Sequence, residues 1–351
     1  MDNNVLVVKG SLKDYLWGKV NGLSKWNTNT DKPQAELWFG DHESSPSVLV
    51  ENNEIINSKS NFPLLVKILC AAEPLSIQVH PDKETAQEKY EQYALSDSHG
   101  KDEMLYALEH FLAYAGIRNS KKVQEIFKIL VNDSKIESLN PLLEHSSFIK
   151  SAEIIFNLSK DDVSKANKIL KANLTSLNIS LSEQNVLEKI IGKYPNDPGV
   201  LICLLMQFHE LKKGDAIHVK PGTPHSYISG LAIEVMTSSD NVLRMGLTNK
   251  PMKVKEALEL VVEHEVQVLS LPTSDGIHVY KPEADFELIA IDNAKKTEIN
   301  ANFSCVLNIE GRTKLKVESK EIELQVGQAA LILMKSFDIE VNGHAFVART
   351  V

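Results

Sequence analysis

The chain has 351 residues, of which 43% are hydrophobic and 24% are charged, as in an ordinary globular protein. This length fits two or three domains and is enough to bury most of the apolar surface. The formal net charge of -9 argues against a nucleic acid or an anionic membrane as the partner, because both favour a basic surface. The first residues lack a secretory leader pattern and no stretch is long enough for a membrane span, so we expect a cytoplasmic protein.

Apolar runs contain all three cysteines, Cys70, Cys203 and Cys305, and no two of them form a CxxC pair. We therefore expect buried thiols rather than a disulfide framework or a thiolate metal site. Free thiols again suit a reducing compartment such as the cytoplasm.

Short apolar runs separated by Gly, Pro and Asn predict strands up to about residue 116. These runs are VLVV at 5–8, ELWF at 36–39, SVLV at 47–50 and PLLVKIL at 63–69. From residue 119 the apolar residues recur at helical spacing, and Ser180 with Glu183 forms a capping-box pattern at the start of a helix that ends before Pro195. The sequence therefore predicts a helical insert over residues 119–195.

Strand patterns return after the insert in VLICLLM, DAIHVK and LAIEVM, and a helix is predicted at 252–263. The tail from about residue 270 predicts six more short strands, FELIAI, SCVLNIEG, KLKVES, EIELQVG, AALILM and FDIEVNG. Strands at this spacing favour a sandwich or jelly roll. We expect one β domain formed by residues 1–118 and 196–269, interrupted by the helices, and a second β domain over residues 270–351.

Two polar stretches interrupt these strands. In LSIQVHPDKET the residues Ser76, Gln78 and His80 share one face of a strand, which alone fits a half-buried strand with a solvated face. In GDAIHVKPGTPHSYISG a strand enters a Pro-Gly turn that is followed by His225 and a second strand. This second stretch resembles the second cupin motif, whose turn brings a histidine to a metal inside a jelly roll.

Five sequence blocks together resemble the type I mannose-6-phosphate isomerase (phosphomannose isomerase) family of the cupin superfamily. They are AELWFG at 35–40, SIQVHPDK at 76–83, DEM at 102–104, PHSY at 224–227 and SDNVLRMG at 239–246. The resemblance extends from the first strands to about residue 262. It implies a mainly β fold with a cupin-type jelly-roll catalytic domain, a helical insert and a second, jelly-roll-like C-terminal domain that binds no metal.

The resemblance implies one zinc ion per chain, with Gln78, His80, Glu103 and His225 as its ligands. Two imidazoles and one carboxylate suit a borderline-soft divalent ion and leave room for water or a sugar oxygen. Taken singly, each of these residues is better explained as a solvated strand residue, a core histidine or a surface acid. Four matched positions in the same order favour the metal site.

The same resemblance implies the remaining site residues. The catalytic set is Arg244, Lys101, Glu234 and Asp240, and the substrate-binding set is Lys67, Ser76, Tyr227 and Lys250. Glu234 is notable on the residues alone, because LAIEVM would otherwise be a continuous buried strand in which a lone carboxylate is costly. The histidine of the family's His-Lys-Pro-Glu-Met block is displaced here to His99, so no catalytic role is carried over to it.

The implied activity is zinc-dependent interconversion of mannose 6-phosphate and fructose 6-phosphate, with proton transfer through an enediol. A phosphate of roughly -1.5 to -2 charge gives an acidic protein a reason to keep basic groups in one pocket. Two alternatives are a non-catalytic sugar-phosphate-binding or regulatory cupin and an iron cupin oxygenase, and Gln78 as an additional ligand speaks against the oxygenase. The expected partner is a phosphorylated hexose, with no nucleic acid and no membrane, and the sequence leaves a monomer open.

Overall fold

The computed structural model describes residues 4–56, 62–144, 147–272 and 275–351. The first part of the chain contains β1 (Val5–Lys9), β2 (Ser11–Lys13), β3 (Lys19–Val20), β4 (Pro33–Gln34), β5 (Glu36–Phe39), β6 (Val48–Leu49), β7 (Leu64–Ala71), β8 (Ile77–Val79), α1 (Lys83–Glu88), β9 (Glu103–Ala107) and β10 (Phe111–Ile117). The helical part contains α2 (Ser120–Ser134), a 3₁₀ helix (Glu137–Leu143), α3 (Phe148–Phe156), α4 (Lys160–Asn173), a second 3₁₀ helix (Leu174–Ser176), α5 (Leu181–Lys193) and α6 (Gly199–Cys203). The rest contains β11 (Met206–Leu211), β12 (Asp215–Val219), β13 (His225–Thr237), β14 (Leu243–Gly246), α7 (Val254–Leu260), β15 (Val268–Ser270), β16 (Gly276–Tyr280), β17 (Phe286–Asp292), β18 (Thr297–Asn300), β19 (Ser304–Val317), β20 (Lys320–Leu324), β21 (Gln328–Ile332) and β22 (Ser336–Thr350). The predicted mainly β architecture with a helical insert is confirmed.

The first large sheet has the strand order β15-β12-β9-β13-β7-β5-β2, and β8, β10, β11 and β14 join it through β13. The first half of β13 pairs with β10 and β8, and the second half pairs with β7 and β9. Gly230 lies between the halves with φ of 132°, and a Cβ there would lie 2.5 Å from the Phe111 ring. The missing side chain allows β13 to run from one layer of the jelly roll into the other.

The second large sheet has the order β16-β17-β22-β19-β21-β1-β6, with β18 and β20 attached. Its two long strands, β19 and β22, pair from Ser304 opposite Arg349 to Lys316 opposite Asp338. SCVLNIEG and KLKVES, predicted as two strands, are therefore one strand. Gly311 and Gly343 face each other beside a register shift, and both have positive φ, as at a β-bulge.

The N-terminal strand β1 pairs with β21 in this second sheet, although the predicted division groups residues 1–118 with the first β domain. Its apolar residues face both ways. Val8 packs into the core between the two large sheets, and Val5 and Val7 pack on the opposite face. A strand with two apolar faces gains most where both faces are covered. The division of the chain into four segments stays a proposal. In the structure, β1 and β6 belong to the second sheet rather than the first.

Helical structure continues to Cys203, beyond the predicted end of the insert at residue 195. VLICLLM, predicted as a strand, forms most of α6 and reaches strand β11 only at Met206. This run is apolar at every position and completely buried, so no periodicity distinguishes a helix from a strand. The sequence also missed α3, and the predicted helix at 252–263 is the shorter α7.

The predicted start of α5 is confirmed, because Ser180 Oγ accepts a hydrogen bond of 3.1 Å from the backbone N–H of Glu183. The three cysteines are buried free thiols, as expected. Among the described residues, no helix combines the length and apolar character needed to cross a membrane.

Candidate active site

Three of the predicted metal ligands meet inside the first β sheet. The Nε2 atom of His80 lies 3.5 Å from one oxygen of Glu103, and the Nε2 atom of His225 lies 3.2 Å from the other. Potential ligand atoms of the three residues all lie within 4.8 Å of one another. All three side chains are buried, with at most 1% of each exposed. The structure thus brings together residues that lie up to 145 positions apart in the chain.

The backbone holds the two histidine-bearing segments against each other. His80 follows β8 directly, and His225 is the first residue of β13. In the turn before His225, the N–H of Gly222 donates a hydrogen bond of 2.9 Å to the carbonyl of His80. Gly222 has φ of 81°, and a Cβ would lie 2.7 Å from the carbonyl oxygen of Leu260. Only glycine fits this turn without displacing its neighbours.

Backbone carbonyls orient both imidazole rings. The Nδ1 atom of His80 lies 2.6 Å from the carbonyl oxygen of Asn241, and that of His225 lies 2.9 Å from the carbonyl oxygen of Thr223. Because a carbonyl only accepts, each Nδ1 carries the hydrogen and each Nε2 presents its lone pair. Burial, aided by the Lys101 ammonium, lowers the pKa of His80 to about 3, so this ring is neutral at physiological pH.

The Glu103 carboxylate is held from two further directions. The hydroxyl of Tyr227 donates a hydrogen bond of 2.9 Å to one oxygen, and the Lys101 ammonium lies 3.2 Å from the other. Burial alone would raise the pKa of Glu103, but the Lys101 ammonium holds it well below its usual range. Burial raises the pKa of Tyr227, so this hydroxyl stays protonated as a donor. The cluster therefore presents one anionic oxygen donor and the lone pairs of two Nε2 atoms.

The fourth predicted ligand, Gln78, lies beside this cluster. On β8 it is in register with His225 of β13 on one side and with Arg244 of β14 on the other. It precedes His80 by two residues, so both side chains leave the same face of the strand. This position is compatible with a ligand, and the assignment of Gln78 as one stays a proposal.

A second buried charged cluster lies near His80, Glu103 and His225. The ammonium of Lys67 lies 2.6 Å from Glu234 and 3.9 Å from Glu36, and the indole N–H of Trp38 donates to Glu36 at 2.9 Å. Burial opposes the charge on Lys67, but the two glutamates raise its pKa above the usual range. Burial also raises the pKa of Glu234. The lone carboxylate predicted to be costly thus has a cation opposite it in register on β7.

Glu36 was not predicted as a site residue, although the sequence contained a signal for it. It begins ELWF, a strand in which all four residues are buried, so the argument applied to Glu234 holds here as well. Its partner Lys67 could not be identified without the pairing of β5 with β7.

The other predicted residues are half-buried or exposed, and we call them the rim of the site: Ser76, Asp240, Arg244 and Lys250. Arg244 is half-buried on β14, and its guanidinium forms no hydrogen bond or ion pair with the residues that the structure describes. Burial, with Glu36 and Asp240, raises the pKa of Tyr15 to about 12, while the charges of Lys67 and Arg244 act in the opposite sense. Lys250 is exposed, and its ammonium lies 5.8 Å from the Tyr15 ring centre. Ser76 is half-buried just before β8.

Asn241 joins the rim to the metal ligands. Its side-chain amide donates hydrogen bonds of 2.8 Å to the carbonyls of Asp97 and His99, and its own carbonyl accepts the hydrogen bond of His80. The side-chain oxygen accepts from the backbone N–H of Ser96 at 2.8 Å. The exposed His99 thus contributes only its backbone carbonyl to these contacts. Through Asn241, the block SDN at 239–241 stabilises the segment that precedes Lys101.

Comparisons with known proteins agree with this site. The family model of the type I phosphomannose isomerase catalytic domain matches residues 5–120. Mannose-6-phosphate isomerase 1 from Arabidopsis thaliana is 31% identical over 294 residues, which cover 70% of this chain and 68% of that protein. Mannose-6-phosphate isomerase from Escherichia coli (strain K12) is 28% identical, and the match covers 97% of each chain.

Solved structures show the same relationship over almost the whole chain. A mutant of phosphomannose isomerase from Salmonella typhimurium superposes with a TM-score of 0.86 at 25% identity, covering 99% of each chain. A zinc-bound mannose 6-phosphate isomerase superposes with a TM-score of 0.85 at 25% identity and the same coverage. Sequence similarity along two thirds of a plant relative and this fold together show that the chain belongs to the type I phosphomannose isomerase family.

Proposed function

We propose that this chain is a zinc-dependent mannose-6-phosphate isomerase, which interconverts mannose 6-phosphate and fructose 6-phosphate. The observation that carries the proposal is the convergence of His80, Glu103 and His225 in a family whose relatives bear this name. The substrate is then a phosphorylated hexose. The buried free thiols are consistent with a reducing compartment such as the cytoplasm.

The donor atoms fit a bound zinc ion. The Nε2 atoms of His80 and His225 are buried and have no hydrogen-bond partner among the described residues, although both lone pairs point toward a carboxylate. Such an arrangement is repulsive unless a cation lies between the groups. Two imidazoles and a carboxylate are a common catalytic zinc set, and Gln78 could add a neutral oxygen. When bound, zinc would act as a Lewis acid that stabilises negative charge on substrate oxygens. A zinc-bound relative with the same fold supports this assignment.

Protein side chains must move a proton between the two carbons that exchange oxidation state. Lys101 and Glu234 are the candidates, and both are buried. Lys101 lies 3.2 Å from Glu103, and Glu234 lies 2.6 Å from Lys67. The pKa of Glu234, raised by burial, brings this carboxylate closer to the operating pH, where a general base works best. At its distance from Glu103, the Lys101 ammonium lies beside the proposed metal site.

The enediol route predicts exchange with solvent. During isomerisation in D₂O, we expect deuterium to appear at C1 of fructose 6-phosphate, because a proton held by a protein base exchanges with water before it returns. Proton NMR at increasing conversion measures this label. Complete retention of the original C2 hydrogen at every stage would instead indicate a hydride shift between the carbons.

Two variants then identify the base. Lys101→Met and Glu234→Gln each remove one candidate, and the variant that lacks the true base should lose solvent exchange and turnover together. Zinc content is the control, because a variant that has also lost the metal says nothing about proton transfer. A pair of variants that both exchange normally would exclude both residues.

Arg244 is proposed to contact the substrate, since its guanidinium has no protein partner within the described residues. Arg244→Lys should lower kcat/KM by about two orders of magnitude, because one positioned donor is worth about 3 kcal/mol in the transition state. The melting temperature should change by only a few degrees. Arg312→Lys is a matched control at a 68% exposed position on the second sheet and should leave both values unchanged. Unfolding of Arg244→Lys would show a structural role.

The direct test of the proposed function is a coupled assay of the purified protein with mannose 6-phosphate. Formation of fructose 6-phosphate that depends on zinc supports the proposal. Tight binding of mannose 6-phosphate without product would identify a non-catalytic sugar-phosphate-binding cupin instead, and iron in place of zinc by mass spectrometry would favour an oxygenase.

A further inference from the structure

Lys13 lies at the rim of the site on the last residue of β2, in register with Glu36 of β5. Its ammonium lies 4.3 Å from the ring centre of Trp38, the residue whose indole N–H binds Glu36. The ammonium of Lys67, from the strand on the other side of β5, lies 4.9 Å from the same indole. Lys13 and Lys67 thus both lie against the ring of Trp38. Lys67 also belongs to the buried charged cluster with Glu36 and Glu234.

The two lysines differ in how their charge is compensated. Lys67 has two carboxylates within 4.0 Å, whereas the side-chain ammonium of Lys13 forms no ion pair or hydrogen bond with any residue that the structure describes. Lys13 is nevertheless half-buried, and burial lowers its pKa, which Asp240 and Glu36 only partly oppose. A partly desolvated ammonium without a carboxylate would be stabilised by an anion from outside the chain.

Two further predicted site residues, Arg244 and Lys250, are cations without a carboxylate partner among the described residues. Arg244 is half-buried, and Lys250 lies 5.8 Å from the ring centre of Tyr15, two residues after Lys13. The charges of Asp240 and Lys67 act on both Lys13 and Tyr15. By contrast, Lys101 and Lys67 are already paired with carboxylates deeper in the site. In a chain of net charge -9, this rim is where a dianion would be attracted.

We propose that Lys13 contacts the phosphate of the sugar substrate and thereby sets the preference for phosphorylated over free hexoses. The proposal rests on the isomerase function proposed above and adds a residue that the sequence motifs did not assign. The alternative is a purely structural role, in which Lys13 packs on Trp38 and does not contact the substrate.

The test uses Lys13→Gln and Lys13→Met, which remove the charge, and Lys13→Arg, which keeps it. For the two neutral variants we expect KM for mannose 6-phosphate and the inhibition constant of inorganic phosphate to rise about 10-fold to 100-fold, the range for loss of a charge-assisted hydrogen bond. The inhibition constant of unphosphorylated mannose should stay constant, and Lys13→Arg should restore most of the affinity. Lys25→Met is the matched control, because Lys25 also lies over an indole, 5.5 Å from the ring centre of Trp26, but pairs with Glu310 on the second sheet.

Unchanged KM and unchanged phosphate inhibition in Lys13→Gln would overturn the proposal. So would an equal loss of affinity for mannose and for mannose 6-phosphate, because packing on Trp38 is not selective for phosphate. If the wild-type protein does not turn over mannose 6-phosphate, the isomerase proposal fails, and calorimetric binding of mannose 6-phosphate to the wild type and Lys13→Gln still decides the role of Lys13. Equal affinities in that experiment would exclude it.

Discussion

Replacing His225 with alanine should leave the purified protein without bound zinc and lower mannose 6-phosphate turnover by about a thousandfold or more. His225 is completely buried, and its Nε2 atom lies 3.2 Å from Glu103 with no hydrogen-bond partner among the described residues. Loss of one of the two proposed imidazole ligands would open its coordination position to water. Metal stabilisation of developing charge is worth several kcal/mol, and about 1.4 kcal/mol corresponds to a tenfold change in rate.

His209 provides a matched control for this variant. It is a buried histidine of β11 in the same sheet, and its Nε2 atom lies 3.0 Å from the carbonyl oxygen of Ala115, so it is outside the His80, Glu103 and His225 cluster. His209→Ala should keep one zinc ion per folded chain, even if the protein becomes less stable. Zinc is measured by mass spectrometry on the folded fraction. A His225→Ala protein with full zinc and normal turnover would refute the ligand assignment.

Lys67→Met should give the largest loss of stability among the site variants, about 3–5 kcal/mol in the free energy of unfolding. The side chains of Lys67, Glu234 and Glu36 are each at most 7% exposed, so removal of the cation leaves two carboxylates in the interior without the ion-pair partner that they share. Guanidinium denaturation followed by tryptophan fluorescence measures the change, and Trp38 lies within the cluster itself.

Two controls separate burial from ion pairing. Lys193 and Glu73 form an ion pair of similar length, 2.8 Å, but these side chains are 39% and 49% exposed, so Lys193→Met should cost less than about 1 kcal/mol. The double variant Lys67→Met with Glu234→Gln should recover part of the lost stability, because it removes an isolated charge. Equal costs for Lys67→Met and Lys193→Met would contradict the role of burial.

The parts of the site that could be predicted from the sequence are those that local patterns encode. Strand alternation places Gln78 and His80 on one face, and the Pro-Gly turn before His225 requires the backbone that Gly222 adopts. Neither pattern shows that these two segments meet at Glu103. That expectation came from the resemblance to a family, and the structure places His80, Glu103 and His225 together.

Long-range pairing explains most of what the sequence missed. Glu36 and Lys67 are single charged residues in apolar strands, and only the pairing of β5 with β7 makes them partners. Similarly, β1 reads as an ordinary apolar strand, and its place beside β21 depends on residues more than 300 positions away. Glu183 was predicted to cap its helix, but its side chain is buried in an ion pair with Arg118, a contact that brings the helical insert against the end of β10.

The most direct test of the zinc isomerase follows zinc content and isomerase rate on the same samples while the metal is removed with a chelator and then returned in steps. We predict that the rate of fructose 6-phosphate formation falls to background in the stripped protein and recovers in proportion to bound zinc, reaching its maximum at one ion per chain. Full activity in the zinc-free protein, or a fully loaded protein that does not convert mannose 6-phosphate, would contradict it.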